Sequence, residues 1–273
     1  MPTAESERTR FFLALGLRRF SEEMKSIGQC RIGTSGYVYS HWRGIFYPPG
    51  MPQRNWFARY SEVFDTVELN NSFYRLPSAE AFKTWRNRAP RQFLFAVKFS
   101  RYGSHLMRLK NGRDTIRRFN EHAAELKQHL GPVLVQLPPN WKANPERLDE
   151  FLSALPPRQR WTVEFRDPSW LIDEVYAILR RHKAALCIHD KIAEHPRELT
   201  ADWTYLRFHG GAHDGNYSES ELKKSAREIE RLLQSGLDVY AYFNNDWHGY
   251  AIDNALTLKR FLTGEQFPAA LSA

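Results

Sequence analysis

The segment Trp161-Thr162-Val163-Glu164-Phe165-Arg166 alternates, with Val163 and Phe165 on one side and Thr162, Glu164 and Arg166 on the other, the two-residue period of a β-strand. The same split recurs elsewhere. Thr66, Glu68 and Asn70 oppose Val67 and Leu69; Tyr205, Arg207 and His209 oppose Leu206 and Phe208; Tyr240, Tyr242, Asn244 and Asp246 oppose Ala241 and Phe243. Lys98 follows Ala96, and Gln136 follows Leu134, on the corresponding faces of two further runs. A strand with an apolar face for helices and a polar face ending in charge fits the wall of a barrel whose interior is polar at one end.

Eight such β-branched or aromatic runs are present: Cys30 to Thr34, Phe64 to Leu69, Phe93 to Lys98, Val133 to Leu137, Trp161 to Phe165, Ala185 to His189, Trp203 to Phe208 and Val239 to Phe243. Segments with helical spacing separate them, the signature of repeated βα units and a parallel sheet. Asn111-Gly112 precedes an amphipathic stretch, Arg113 to Leu130, that stops at Gly131-Pro132. Ser169 to His182 and Ser218 to Leu233 each begin at a serine suited to an N-cap, and the latter stops near Gly236. Between strands six and seven only Lys191 to Asp202 remain, with Pro196 inside, so that helix is short or irregular. The expected fold is α/β, a single (β/α)8 TIM-type barrel over 30–273. It is preceded by an N-terminal helical extension over 1–29, in which Phe12, Leu15, Arg19 and Phe20 mark two faces.

Composition agrees with one globular unit. The chain has 273 residues, 42% hydrophobic and 14% aromatic, too rich in aromatics for disorder. α/β barrels commonly reach about 250 residues as one domain. No apolar run approaches the ~20 residues of a membrane helix. Phe11 to Leu17 is short, flanked by arginines and without a small-residue cleavage site, so the expected location is cytoplasmic. Cys30 and Cys187 offer neither a disulfide framework nor a zinc spacing.

The formal charge of +8 is local. From Arg91 to Arg118 eight basic residues face one acid, a local +7. Lys98, Arg101 and His105 follow strand three directly, with Tyr102 beside them, a combination suited to phosphates and to bases or sugars. Arg113, Arg117 and Arg118 read instead as the solvated face of a helix.

Several segments, taken in order over about residues 31 to 262, carry a resemblance: Ile32-Gly33-Thr34-Ser35-Gly36-Tyr37, Phe46-Tyr47-Pro48, Thr66 to Arg75, Gln136-Leu137-Pro138-Pro139, Glu164-Phe165-Arg166, Arg207-Phe208-His209-Gly210 and Tyr242 to Asp246. The chain resembles the YecE-like family, a widespread domain of unknown function. The resemblance implies a TIM-type barrel and brings no established reaction with it. The positions it marks are Ser35, His41, Glu68, Asn70, Tyr74, Arg75, Lys98, His105, Gln136, Glu164, Arg166, Arg207, His209, Asn244, Asn245 and Asp246. Tyr37 stands where the family usually has Trp, and Asp167-Pro168 replaces a His-containing step.

These residues suggest roles. Glu68 and Glu164 form a candidate acid/base pair, since a carboxylate buried in a barrel can have its pKa raised toward neutrality. Lys98 is either a Schiff-base lysine or the neutraliser of Glu68. Arg101, Arg166 and Arg207 suit phosphate oxygens. Ser35, His41, Asn70, Tyr74, Arg75, His105, Gln136, Asn244 and Asn245 complete the expected binding set. The loop His209 to Gly215 is glycine-rich where barrels often bind phosphate through backbone N–H groups. His209 and Asp246 are further catalytic candidates, to orient or ligate, Lys98 joins the arginines on phosphate oxygens, and His209, His213, Asp214 and Asp246 are weak candidates for a divalent metal, the one cofactor the residues suggest. The leading expectation is a hydrolase of a phosphate-bearing substrate, a nucleic acid or a phosphorylated metabolite. The alternatives are a non-catalytic barrel that binds nucleic acid or a small anion, and a carbohydrate-active enzyme using Glu68 and Glu164.

Overall fold

The computed structural model of the chain describes residues 27–210 and 214–265. Eight parallel strands, β1 (Cys30–Thr34), β2 (Thr66–Leu69), β3 (Leu94–Lys98), β4 (Leu130–Gln136), β5 (Trp161–Glu164), β6 (Ala185–His189), β7 (Trp203–Phe208) and β8 (Asp238–Phe243), run in order around a barrel, β1 pairing with β8. Seven helices fill the outer layer among the described residues: α1 (Trp56–Val63), α2 (Ala79–Arg88), α3 (Gly112–Ala123), α4 (Pro145–Ser153), α5 (Asp173–Arg181), α6 (Glu219–Gln234) and α7 (Tyr250–Thr263). No helix follows β6, as the short proline-bearing connection implied. The expected extension over 1–29 lies outside the described residues except for its last three, which are not helical. No helix among the described residues is long and apolar enough to cross a membrane.

Two helix boundaries differ from the sequence reading. The stretch after Asn111-Gly112 is helical only to Ala123, continues as 3-10 turns to His129, and bends at Lys127, where φ is +51°. Gly131-Pro132 belongs to β4 and does not follow a helix, because proline needs no ladder donor near the start of a strand. Ser169 caps nothing: Asp167 accepts from its N–H in a 3-10 turn, and α5 begins only at Asp173. Ser218 does cap α6, in a reciprocal box with Glu221.

The pleat sorts the side chains. Val67, Leu69, Phe95, Val97, Val133, Val135, Val163, Phe165, Leu206, Ala241 and Phe243 join the helix-facing core. Ala96, Leu134, Ala185, Cys187, Trp203, Tyr205, Tyr240 and Tyr242 fill the interior. The lower end of the interior is closed by Arg160, whose guanidinium reaches Asp238 (2.7 Å) and Tyr240 OH (2.8 Å) and lies over the Trp203 ring. Above this plug the tyrosines leave a polar upper third.

The β1–β2 seam is the weak joint, carrying only the bridge between Ser35 and Glu68 in place of a ladder. The Tyr60 hydroxyl spans it, accepting from Thr34 N–H (3.0 Å) and donating to the Thr66 carbonyl (3.0 Å). Gly33 is required here, since a Cβ would sit 2.4 Å from the Thr66 carbonyl oxygen. Tyr60→Phe orphans two buried backbone groups and should cost about 1–3 kcal/mol. Urea unfolding checks this; a loss below about 0.5 kcal/mol would remove the hydroxyl from the closure.

Candidate active site at the C-terminal mouth

The upper third of the interior is an ion network centred on Arg207, which β7 holds one pleat above Tyr205. Its Nη2 pairs with Glu68 Oε1 at 2.7 Å and its Nη1 with Glu164 Oε2 at 2.5 Å, and all three side chains are fully buried. Glu68 also accepts from Ser35 Oγ and Tyr205 OH, each at 2.6 Å. Glu164 accepts from Arg166 Nε and lies 3.8 Å from the Cys187 thiol. Burial alone would raise the Glu164 carboxyl, but Arg207 and Arg166 hold it well below the usual carboxylate range. This corrects the sequence expectation for Glu164: its carboxyl is not poised near neutrality, because a guanidinium bridges it to Glu68.

Lys98 behaves otherwise. Its Nζ donates to Gln136 Oε1 (2.7 Å) and lies 4.2 Å from the centre of the Phe73 ring. Among the described residues no ion pair holds it, so the role of neutralising Glu68 falls to Arg207. Burial, reinforced by the positive charge of Arg207, lowers the Lys98 ammonium to about 8. The upper interior thus holds three cations, Arg166, Arg207 and Lys98, against two carboxylates, Glu68 and Glu164.

Two histidines flank it. His105 sits on a π-helical turn, Tyr102–Leu106, directly after β3; Ser104 Oγ lies 3.0 Å from its Nδ1 and Phe73 meets its ring edge-on. Burial, then Lys98 and Arg101, lower it to about 4. His209 is lowered by burial to about 2, the nearby Glu164 opposing the shift. Asn244 Nδ2 donates to His209 Nδ1 (3.1 Å), which leaves the ring proton on Nε2. Among the described residues that buried nitrogen has no hydrogen-bond partner, and it lies 3.9 Å from Glu164 Oε1. Both rings are neutral at pH 7, and His209 presents an unused donor.

Other expected residues lie apart. Asp246 leaves the interior to clasp the first loop, accepting from Trp42 Nε1 (2.6 Å) and pairing with His41 Nε2 (3.1 Å). Burial raises its carboxyl to about 6, against the opposing effects of Trp42 and His41. Asn245 turns toward Gly215 and Asn254, each at 2.8 Å, and ties two loops together. Asn70 Oδ1 is buried without a partner. Tyr74 and Arg75 are exposed on the rim, as are Arg101 and Tyr102. Asp214 is exposed at a positive-φ position, and His213 lies outside the described residues. Among the described residues no group of three His, Cys, Asp or Glu could hold a metal.

The glycine-rich seventh loop offers less to phosphate than its composition suggested. The His209 N–H donates to Asp190 (3.0 Å) and the Gly210 N–H to Tyr217 OH (2.9 Å), so both amides are engaged. The basic segment also divides. Arg91 precedes β3 at the opposite end of the barrel, and Arg113, Arg117 and Arg118 are exposed on α3, Arg117 pairing with Glu121. A cavity of about 660 Å³ opens beside His209, lined by Asn244, Asp246 and Trp247. A groove of about 690 Å³ between Tyr74, Tyr102 and α3 lies outside the interior network.

Sequence reasoning set Tyr205 on the inward face without giving it a role, and it missed Phe73, Cys187 and His189. Cys187 pairs in register with Tyr205 and could have been found by extending the alternation to β6. His189, whose ring meets His209 edge-on at 6.0 Å, continues the parity of Cys187 along β6.

The clasp makes a pH-dependent contribution. A carboxyl raised from 3.8 to about 6 favours the folded state when protonated, and that stability is lost as pH rises through about 6. Asp246→Asn keeps the acceptor for Trp42, and should stabilise the protein above pH 6 by no more than about 1 kcal/mol after solvent screening. Below pH 4 it should change nothing. Thermal melts at the two pH values check the sign.

Comparison with known proteins adds the lineage. Residues 31–272 match the family model described as "Protein of unknown function DUF72". The UPF0759 protein YunF of Bacillus subtilis (strain 168) is 25% identical over 261 residues, 79% of this chain and 89% of YunF. The UPF0759 protein YecE of Escherichia coli (strain K12) is 31% identical over 114 residues, 41% of each chain. A DUF72 family protein of Thermotoga maritima superposes with a TM-score of 0.78 at 29% identity, covering 86% of this chain and 99% of that one. One from Enterococcus faecalis gives 0.74 at 18% identity over 89% and 98%, a likeness of fold alone.

Proposed function

Because this chain belongs to the DUF72 family, whose description names no reaction, we propose its function from the barrel mouth: an enzyme that takes a phosphate-bearing small molecule, with Lys98 as the group that handles the proton. The observation that carries this reading is the Lys98 ammonium, hydrogen-bonded to Gln136 but without a carboxylate counter-ion among the described residues, in an interior whose two carboxylates are already bridged by Arg207. A buried charge without a counter-ion is costly, and an anionic substrate supplies one. His209 Nε2, without a hydrogen-bond partner among the described residues, adds a neutral donor to the mouth. Arg166, half-buried beside Glu164, and the exposed Arg101 suit phosphate oxygens.

In this reading the glutamates do no proton transfer; they fix Arg207 and Arg166. The ammonium pairs with the anion, and the neutral amine, accessible because the group lies near pKa 8, accepts a proton from substrate or from an attacking water in a hydrolytic step. The test is a turnover screen of phosphosugars and nucleotides, with and without divalent metal, on wild type and Lys98→Met. Turnover by wild type that is lost in the variant supports the reading. A screen with neither turnover nor saturable binding overturns it.

A further inference from the structure

We propose that Lys98 is a carbonyl-binding nucleophile, so that the substrate class is a phosphorylated aldehyde or ketone held as an imine on its Nζ. The inference rests on the phosphate reading above and names the functional group beside the phosphate.

Four features of the side chain support it. Lys98 lies at the C-terminal end of β3, where barrel chemistry is placed, and its residue is only 9% exposed, which protects an imine from water. Its Nζ is held between the Phe73 face and Gln136 Oε1, so the amine is oriented without a carboxylate that would fix it as ammonium. Arg207 lies close enough to help drive the lysine toward the neutral, nucleophilic form, near pKa 8. Finally, His209 Nε2 has no hydrogen-bond partner among the described residues; as a neutral N–H donor it suits a carbonyl or carbinolamine oxygen better than an imidazolium, which would surrender its proton. Burial and the charge of Arg207 favour the neutral amine, while the Phe73 face and the Gln136 carbonyl hold it in place, so the side chain is both oriented and able to lose its charge.

The step balances without a further reactant. The Lys98 ammonium releases a proton, and its lone pair attacks the carbonyl carbon; the C–N bond forms as the carbonyl π pair moves to oxygen, which takes a proton from the nitrogen to give the neutral carbinolamine. The nitrogen lone pair then forms C=N as the C–O bond breaks, and the oxygen leaves as water with the proton first released. The product is a protonated iminium. Its positive charge replaces that of the ammonium, so the network with Glu68 and Glu164 keeps its balance, and nothing is oxidised or reduced.

The experiment treats the full-length protein with glycolaldehyde phosphate and sodium cyanoborohydride at pH 7.5 and maps the adduct by peptide mass. A single reduced adduct on Lys98, forming at least about tenfold faster than with unphosphorylated glycolaldehyde and slowed by inorganic phosphate, is the expected result. Lys98→Arg, checked for folding by circular dichroism, should lose the adduct and retain inorganic-phosphate binding. Adducts spread over exposed lysines with Lys98 unmodified overturn the proposal, and they do so even if inorganic phosphate binds, in which case the phosphate reading survives alone. Equal labelling of Lys98 by both aldehydes, untouched by phosphate, sustains the imine and defeats the phosphate reading.

Discussion

Arg207→Met is expected to lower stability by about 3–5 kcal/mol at pH 7, the cost of stranding buried carboxylates when one partner of an ion pair is removed. The arginine is 2% exposed and is the one group that touches both glutamates. Its loss leaves Glu68 with Ser35 and Tyr205, and Glu164 with Arg166. Against a total of about 5–15 kcal/mol for a folded protein, the variant is marginal. The pH dependence separates this cause from simple loss of packing. Glu164 sits well below its ordinary value in the native state, so its ion pairs contribute stability above the unfolded carboxylate pKa of about 4.5 that is lost as pH falls through the depressed native value. In the variant that contribution is gone, and protonation relieves the stranded charge. The deficit relative to wild type should therefore shrink between pH 7 and pH 4. Urea unfolding at both values reads it. An equal deficit at pH 7 and pH 4 would point to packing and not to charge.

Lys98→Met is expected to abolish turnover while making the protein more stable. A lysine lowered from 10.5 to about 8 destabilises the fold while it is charged: stability rises with pH between 8 and 10.5, where the unfolded chain binds a proton that the native chain does not. At pH 7 nearly the whole penalty is present, of the order of 3–4 kcal/mol for a pKa lowered from 10.5 to about 8 at about 1.4 kcal/mol per pKa unit. Methionine fills similar space against Phe73, makes no ammonium and leaves Gln136 a carbonyl to re-pair, so a gain of about 1–2 kcal/mol at pH 7 is expected. The gain should disappear above pH 10.5. Stability purchased by deleting a side chain, with activity lost, marks a residue kept for function. Denaturant unfolding at pH 7 and pH 10.5 is the check; a destabilised variant at pH 7 would show that Lys98 is held by interactions the native network needs.

Much of this was legible in the sequence, for physical reasons that can be named. Alternation in Trp161 to Arg166 and its counterparts gave both the strand count and the inward face, because the period of two leaves no freedom once one side is apolar. The clustering of Glu68, Glu164, Arg166, Arg207 and Lys98 followed from parity plus barrel closure. The partition of charge within the cluster did not. Whether Lys98 or Arg207 meets Glu68 depends on side-chain reach across the barrel, and strand parity is silent on distance. The divergence of Asp246 was hidden because β8 ends at Phe243, three residues before it, so the alternation that placed it inward no longer holds there; Asn245 was marked by the resemblance alone. Gly131-Pro132 misled because the same dipeptide ends helices and opens strands.

The most direct test of the anion-binding mouth is a calorimetric titration of inorganic phosphate into wild type and Lys98→Met at pH 7. Saturable binding by wild type, weakened by about tenfold or more in the variant as a charge-assisted hydrogen bond is lost, is the predicted result. No saturable binding, or equal affinity in both proteins, would contradict it.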